Sequence, residues 1–253
     1  MSFKAKDFLY EMKKIIAYPF SIIFYLAFGL VLVIFHAYQF IAHRGFGYQA
    51  HKISVDWLNF FIMRCLNLLG TRIYFENPYK LKNDVPHIIV ANHQSMFDIP
   101  PLIWYLRKIH PKFISKKELG KGIPSVSYNL RHGGSVLIDR NDRESAVEAI
   151  KGFGEYLCKT NRTGVIFPEG TRSRDGKLKR FSENGLRNLI ENCPRAIVIP
   201  VSIDNSWQLQ KFGMFPLPIG VKIRFKVHKP IEIKSHKFDE IMEYSRGVIV
   251  KEL

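Results

Sequence analysis

The stretch HIIVANHQSMFDIPPLIWYL, residues 87–106, decides the fold. Its first five residues form an unbroken, mostly apolar run, the pattern of a strand buried on both faces. A helical pattern occupies 98–109. Asp98 is a good residue to begin a helix, and Pro100 and Pro101 are tolerated in a first turn, where N–H groups lack intrahelical partners. The segment therefore reads as strand, short loop, helix. His93 falls at the strand end and Asp98 at the helix start, on the sheet edge where α/β proteins place their sites.

Residues five apart on one ideal helix point about 140° away from each other. His93 and Asp98 can meet only if the chain turns between them. A carboxylate beside an imidazole fixes one tautomer and stabilises the protonated ring, which makes histidine an effective general base. A substrate hydroxyl could be the group deprotonated, so no serine or cysteine nucleophile is required. Taken alone the spacing is also explained by a capping aspartate beside a hydrogen-bonded histidine.

Downstream, VIFPEGTRSRDGKLKRF (165–181) carries a strand into a turn at Pro168-Glu169-Gly170, followed by Thr171, Arg172 and Ser173. The Arg172 guanidinium suits a phosphate, and the hydroxyls add donors. Arg174, Lys177, Lys179 and Arg180 enlarge the positive field; a solvated basic loop is the plain alternative. Further β-type runs lie at 72–76, 112–115, 135–139, 164–168, 196–203 and 221–228, with helical patterns near 123–132, 143–160 and 182–193. This alternation predicts an α/β fold, a mixed, largely parallel sheet flanked by helices. Residues 204–220, rich in Pro, Gly and aromatics, read as a long surface loop that faces lipid.

No Lys, Arg, Asp or Glu occurs from Ile15 to Ala42. About 20 apolar residues suffice for a helix to span a bilayer. Basic residues stand on both sides: Lys4, Lys6, Lys13 and Lys14 before, Arg44, Lys52, Arg64 and Arg72 after. Positive flanks favour the cytoplasmic side. A single span cannot place both there, so the segment is expected to dip into one leaflet and return, with a break near Gly29 or Pro19. In 53–70, Asp56, Asn59, Met63 and Asn67 draw a narrow polar stripe on an otherwise apolar helix, suited to the membrane interface or to the core of the next domain. The expected organisation is a membrane-associating helical segment over 1–70 and an α/β domain over 71–253.

The 253 residues hold 38 Lys and Arg against 22 Asp and Glu, a net charge of +16. So basic a chain implies an anionic partner. The uncharged segment argues against nucleic acid, as does the lack of a helix-turn-helix, RRM or zinc pattern. Cys65, Cys158 and Cys193 are widely spaced and suggest neither a zinc site nor a disulfide framework.

NHQSMFD (92–98), GGSVLIDR (133–140), FPEGTRS (167–173) and VIPVSI (198–203) stand in the order found in lysophosphatidic acid acyltransferases. Over about residues 70 to 205 the chain resembles the PlsC-like glycerolipid acyltransferase family. The resemblance implies that His93 deprotonates the sn-2 hydroxyl of lysophosphatidic acid, with Asp98 orienting it. The acyl group would come from acyl-CoA or acyl-carrier protein, and phosphatidic acid would be the product. It implies further that Glu169, Gly170, Thr171 and Arg172 bind the acceptor's glycerol phosphate, with Lys116 near the phosphate and Arg140 positioning a substrate. No metal or organic cofactor is implied. The expected location is the membrane, with the catalytic domain on the cytoplasmic face of the inner membrane beside anionic lipid. Glycerol-3-phosphate or another lysolipid is an alternative acceptor, and a non-enzymatic anionic-lipid-binding protein is the alternative outside enzymology. One departure stands out: Ser127 occupies a position where such enzymes often have glycine.

Overall fold

The computed structural model describes the chain from Phe3 to Leu253, with side chains from Tyr10 onward. Lys4 and Lys6 have side chains outside the described residues. The first element, α1, runs Phe3–Leu68 and is broken once, at Gly47 (φ 77°, ψ −165°). Only glycine takes that backbone conformation without strain. The chain reverses there, and the arms pack through Leu32, Leu58 and Ile62, with the Phe35 and Phe61 rings 5.6 Å apart. A reversal is present, but it lies at Gly47, outside the uncharged segment from Ile15 to Ala42 expected to turn back on itself. The helix continues through both Pro19 and Gly29. A glycine in a helix interior costs only about 1 kcal/mol, too little to end a helix whose neighbours are packed.

The first part of the returning arm's polar stripe faces inward, while Asn67 at its end is exposed. Asp56 and Asn59 are buried, whereas Trp57 and Phe61 are exposed. The Asp56 carboxylate accepts from Lys52 Nζ at 2.6 Å and Asn59 Nδ2 donates to Val55 O at 2.7 Å, so burial leaves both partnered.

The strands are β1 (Arg72–Glu76), β2 (His87–Ala91), β3 (Pro111–Lys116), β4 (Val136–Ile138), β5 (Thr163–Ile166), β6 (Ile197–Asp204), β7 (Lys222–Val227) and β8 (Ile231–Glu232). They form one sheet in the order β1-β7-β6-β2-β5-β3-β4, with β8 added to β6. The run β6-β2-β5-β3-β4 is parallel throughout, and only β7 and β8 pair with β6 in antiparallel fashion. The remaining helices are α2 (Ile99–Tyr105), α3 (Val126–His132), α4 (Arg143–Thr160), α5 (Glu183–Asn192) and α6 (Phe238–Val250). The mixed, largely parallel α/β sheet expected from sequence is what the chain forms.

Strand β2 shows why its sequence is apolar without alternation. Ile89 and Ala91 join one core with Phe24, Leu66 and Leu102 from α1 and α2. Ile88 and Val90 join the other, with Leu157, Leu186, Leu189 and Ile249 from α4, α5 and α6. Helix α1 is thus built into the core rather than appended to it. Its outer surface is different: Ile15, Leu26, Leu30 and Val33 are each at least 60% exposed.

The 204–220 segment is more closely tied down than a surface loop. It contains a 3-10 turn (Ser206–Gln210), and Leu209 and Leu217 are fully buried. Ser21 on α1 accepts from Leu217 N at 2.8 Å. Met214 and Phe215 remain about half exposed beside Tyr18 and Tyr25 of α1.

Candidate active site

Because β6, β2, β5, β3 and β4 are parallel, their carboxyl ends lie on one edge of the sheet. Residues 205–206, 92–98, 167–173, 116 and 140 are all delivered there. Asn92 directs the first departure. Its side chain donates to Ile203 O and accepts from Ile203 N, both at 2.7 Å, continuing the ladder one step after the backbone leaves it.

The chain then turns as the chemistry requires. His93 Nδ1 lies 2.8 Å from Asp98 Oδ2. The same oxygen accepts from Gln94 N at 2.8 Å and Ser95 N at 2.9 Å, and Ser206 Oγ donates to Oδ1. Asp98 is fully buried, whereas the His93 side chain is 18% exposed. A buried carboxylate accepting this many bonds is fixed in place. It accepts from Nδ1–H, so Nε2 is the ring nitrogen free to take a proton. The cap differs from the expected arrangement. Ser95 caps a 3-10 turn, Met96–Asp98, and the Asp98 side chain makes no cap bond to α2. It turns back toward His93 and the loop instead.

Two aromatic contacts fix the dyad. The His93 ring stacks on Phe167 with centroids 4.1 Å apart. Phe97, next to Asp98, is buried against Phe24 and Phe28 of α1. The hairpin therefore forms one wall beneath the dyad's turn.

Glu169 lies between the two loops. Its carboxylate accepts from His93 N at 2.6 Å and Lys179 N at 2.8 Å, while Ser173 N donates to His93 O at 2.7 Å. Burial raises the Glu169 pKa above the usual carboxylate value, opposed by those two N–H donors. In this arrangement Glu169 braces the loops, each of its oxygens accepting one backbone N–H. Gly170 has φ 68°, which favours glycine, and its carbonyl accepts from Arg140 Nη1. Lys179 Nζ bonds Thr171 Oγ1 at 3.1 Å and Arg172 O at 2.7 Å. Arg172 and Lys116 are exposed, and neither side chain has an ion-pair partner among the described residues. Arg140, Arg172, Lys116 and Lys179 thus form a cationic flank on the β5-β3-β4 side of His93.

Ser127 is buried: its hydroxyl donates to Leu119 O at 2.9 Å and accepts from Ile123 N at 3.0 Å. It stitches the loop before α3 together. Ser206 is the site residue that sequence reading missed. Among the described residues no group of three or more His, Cys, Asp or Glu side chains is placed to hold a metal ion.

The fold and these residues have relatives. The chain is 37% identical over 133 residues to a 1-acyl-sn-glycerol-3-phosphate acyltransferase of Helicobacter pylori, an alignment covering 49% of this chain and 54% of that one. It is 29% identical over 171 residues to the chloroplastic 1-acyl-sn-glycerol-3-phosphate acyltransferase LPAT1 of Arabidopsis thaliana, covering 68% and 46%. The chain spans about half the length of these curated relatives. Among solved structures, the 1-acyl-sn-glycerophosphate (LPA) acyltransferase PlsC of Thermotoga maritima superimposes with a TM-score of 0.77 at 25% identity, covering 96% of this chain and 95% of that one. A family model, Acyltransferase, matches residues 72–204, more than half the chain and the span that holds the dyad and its cationic flank; the chain belongs to the acyltransferase family.

Proposed function

We propose that this protein transfers a fatty acyl group from an acyl thioester to the sn-2 hydroxyl of 1-acylglycerol-3-phosphate, giving phosphatidic acid. The observation that carries the reading is the His93–Asp98 pair, 2.8 Å apart, on the same sheet edge as the exposed Arg172, Lys116 and Arg140. The relatives named 1-acyl-sn-glycerol-3-phosphate acyltransferase support the choice of acceptor.

In the proposed reaction His93 Nε2 takes the proton of the acceptor hydroxyl as its oxygen attacks the thioester carbonyl carbon. Asp98 stabilises the imidazolium through Nδ1–H. The new C–O bond forms, the C–S bond breaks, and the departing thiolate takes the proton from Nε2. Arg172 and Lys116 hold the acceptor's phosphate, and Arg140 holds the Gly170 carbonyl, which keeps the loop in place. Glu169 contributes by fixing His93 N and Lys179 N to one carboxylate.

The acceptor is a membrane lipid, and α1 suits that supply. It is long and apolar enough to cross a membrane by length and composition, and its two arms turn back at Gly47. We read residues 1–70 as the membrane-associating part, lying in one leaflet with its exposed Ile15, Leu26 and Leu30 among acyl chains, and residues 71–253 as the acyltransferase domain. Met214 and Phe215 extend the same surface. The cytoplasmic face of the inner membrane, where acyl thioesters and anionic lipids both occur, is the proposed location.

The test is acyl transfer by membranes containing the full chain, from labelled acyl-CoA and from acyl-carrier protein. The acceptors are lysophosphatidic acid, glycerol-3-phosphate and lysophosphatidylcholine. Preferential formation of phosphatidic acid from lysophosphatidic acid is expected. Preferred acylation of either other acceptor would replace the proposed substrate.

A further inference from the structure

The dyad has a second cationic flank. In the sheet order β1-β7-β6-β2-β5-β3-β4, Arg172, Lys116 and Arg140 stand on the β5-β3-β4 side of His93. On the other side, where β6 ends and β7 begins, lies a cavity of about 530 Å³. Strand β7 runs antiparallel to β6, so its start lies on the same edge as the dyad. Two strand spacings separate β7 from β2, about 10 Å, the same interval that separates β3 from β2 on the opposite flank.

Three lysines from distant parts of the chain line this cavity: Lys13 on α1, Lys211 after the 3-10 turn, and Lys222 at the start of β7. All three are exposed, and none is in an ion pair among the described residues. No carboxylate lines the cavity. Two acidic residues adjoin the lining in sequence: Glu11 beside Tyr10, and Asp204, which accepts from the Asn205 amide at 2.7 Å and is opposed by Arg224. The wall is ordered: the Tyr10 ring meets Phe212 edge-on at 5.2 Å, and Lys211 Nζ lies 5.4 Å from its centroid. Three like charges around a concave surface that no carboxylate lines focus a positive potential into it.

We propose that this cavity is a phosphate-ester site, separate from the one that holds the acceptor. The proposal rests on the acyl-transfer reading above, because it is that reaction which needs two anionic molecules at one dyad. If Arg172 and Lys116 take the acceptor's phosphate, the thioester approaches from the β6-β7 flank, and a carrier bearing nucleotide phosphates anchors them on Lys13, Lys211 and Lys222. The same chemistry fits the headgroup of an anionic lipid, since exposed Ile15 and Tyr18 follow Lys13 on α1 and Tyr18 meets the exposed Phe215 edge-on.

The experiment uses the full chain with Lys13→Gln, Lys211→Gln and Lys222→Gln combined, beside a charge-matched control, Lys151→Gln, Lys159→Gln and Lys234→Gln. Two bindings are read without turnover: free coenzyme A by calorimetry, and flotation with phosphatidylcholine vesicles with and without phosphatidylglycerol. At least a tenfold loss is expected in one of them for the first triple alone. Loss of coenzyme A binding identifies the donor's phosphates as the occupant. Loss of the phosphatidylglycerol-dependent part identifies the headgroup. The site is overturned if the first triple matches the parent in both, or if the control triple loses as much. Neither binding depends on acyl transfer, so a failure of the proposed reaction shows separately, as absence of product in the parent.

Discussion

Strand β2 begins on one histidine and the chain meets another just past its end, and the two have little in common. His87 is 1% exposed, and its Nδ1 has no hydrogen-bond partner among the described residues. Burial pushes its pKa down to about 4, with only Asp84 opposing. His93 keeps one face open, stacks on Phe167 and is held by a fixed carboxylate. Residue type is the same. What differs is the edge of the sheet: the amino-terminal edge encloses its polar groups, while the carboxyl-terminal edge gathers loops whose donors and cations face outward. Lys112 on β3 repeats the contrast. Burial and the nearby Arg162 lower its pKa to about 7, whereas Lys116, at the other end of the same strand, is exposed.

If the carboxylate is what separates the two histidines, removing its charge should cost most. Asp98→Asn is expected to lower the acyl-transfer rate about 10³- to 10⁴-fold, since Nδ1–H and three further donors converge on that one group. Transfer assays with the variant checked for fold by circular dichroism measure it; a loss below tenfold would dissolve the contrast. Next is the hinge between strand and loop. Asn92→Ala leaves the Ile203 N–H and carbonyl without their partners in a buried place and should cost about 3 kcal/mol of stability, read by denaturant unfolding.

A smaller effect is expected from Ser206→Ala, about tenfold in turnover with little change in the acceptor's KM, by analogy with loss of one hydrogen bond to a charged group. A shift in KM alone would place Ser206 in binding and not in orienting Asp98. The smallest effect on turnover belongs to His87. Unfolded, its imidazole takes up a proton near pH 6.5; folded, only near pH 4. The unfolded state therefore binds more protons between those values, and stability falls as pH is lowered through that window, by up to about 1.4 kcal/mol per pH unit. His87→Gln should flatten this slope in unfolding measured from pH 7 to 4.5, while His110, likewise pushed down to about 4, keeps its own share. Turnover at neutral pH should stay within about twofold, because surface and remote changes rarely exceed a few tenths of a kcal/mol in effect.

The sheet was legible because its strands state their burial directly. The expected runs at 72–76 and 87–91 coincide with β1 and β2, whose residues pair along their whole length. The dyad was legible as residues and as a turn. Its support was not: Ser206 lies 108 positions from Asp98, in a segment whose Pro, Gly and aromatic content reads as loose. Charge on both flanks suggests a turn near Gly29 or Pro19, but that segment stays helical and the chain reverses only at Gly47, after which Phe61 packs on Phe35. Helix α6 left a signal that was passed over, Ile241, Ser245 and Ile249 spaced every fourth residue on its buried side.

The central claim is that His93 is the base and that position, not residue type, makes it one. Its most direct test is single-turnover acyl transfer from labelled acyl-CoA to lysophosphatidic acid, comparing the parent with His93→Ala and His87→Ala. The account predicts loss of phosphatidic acid formation by about 10³-fold or more for His93→Ala, and a rate within about twofold of the parent for the folded fraction of His87→Ala. Transfer that survives in His93→Ala, or that falls equally in both variants, would contradict it.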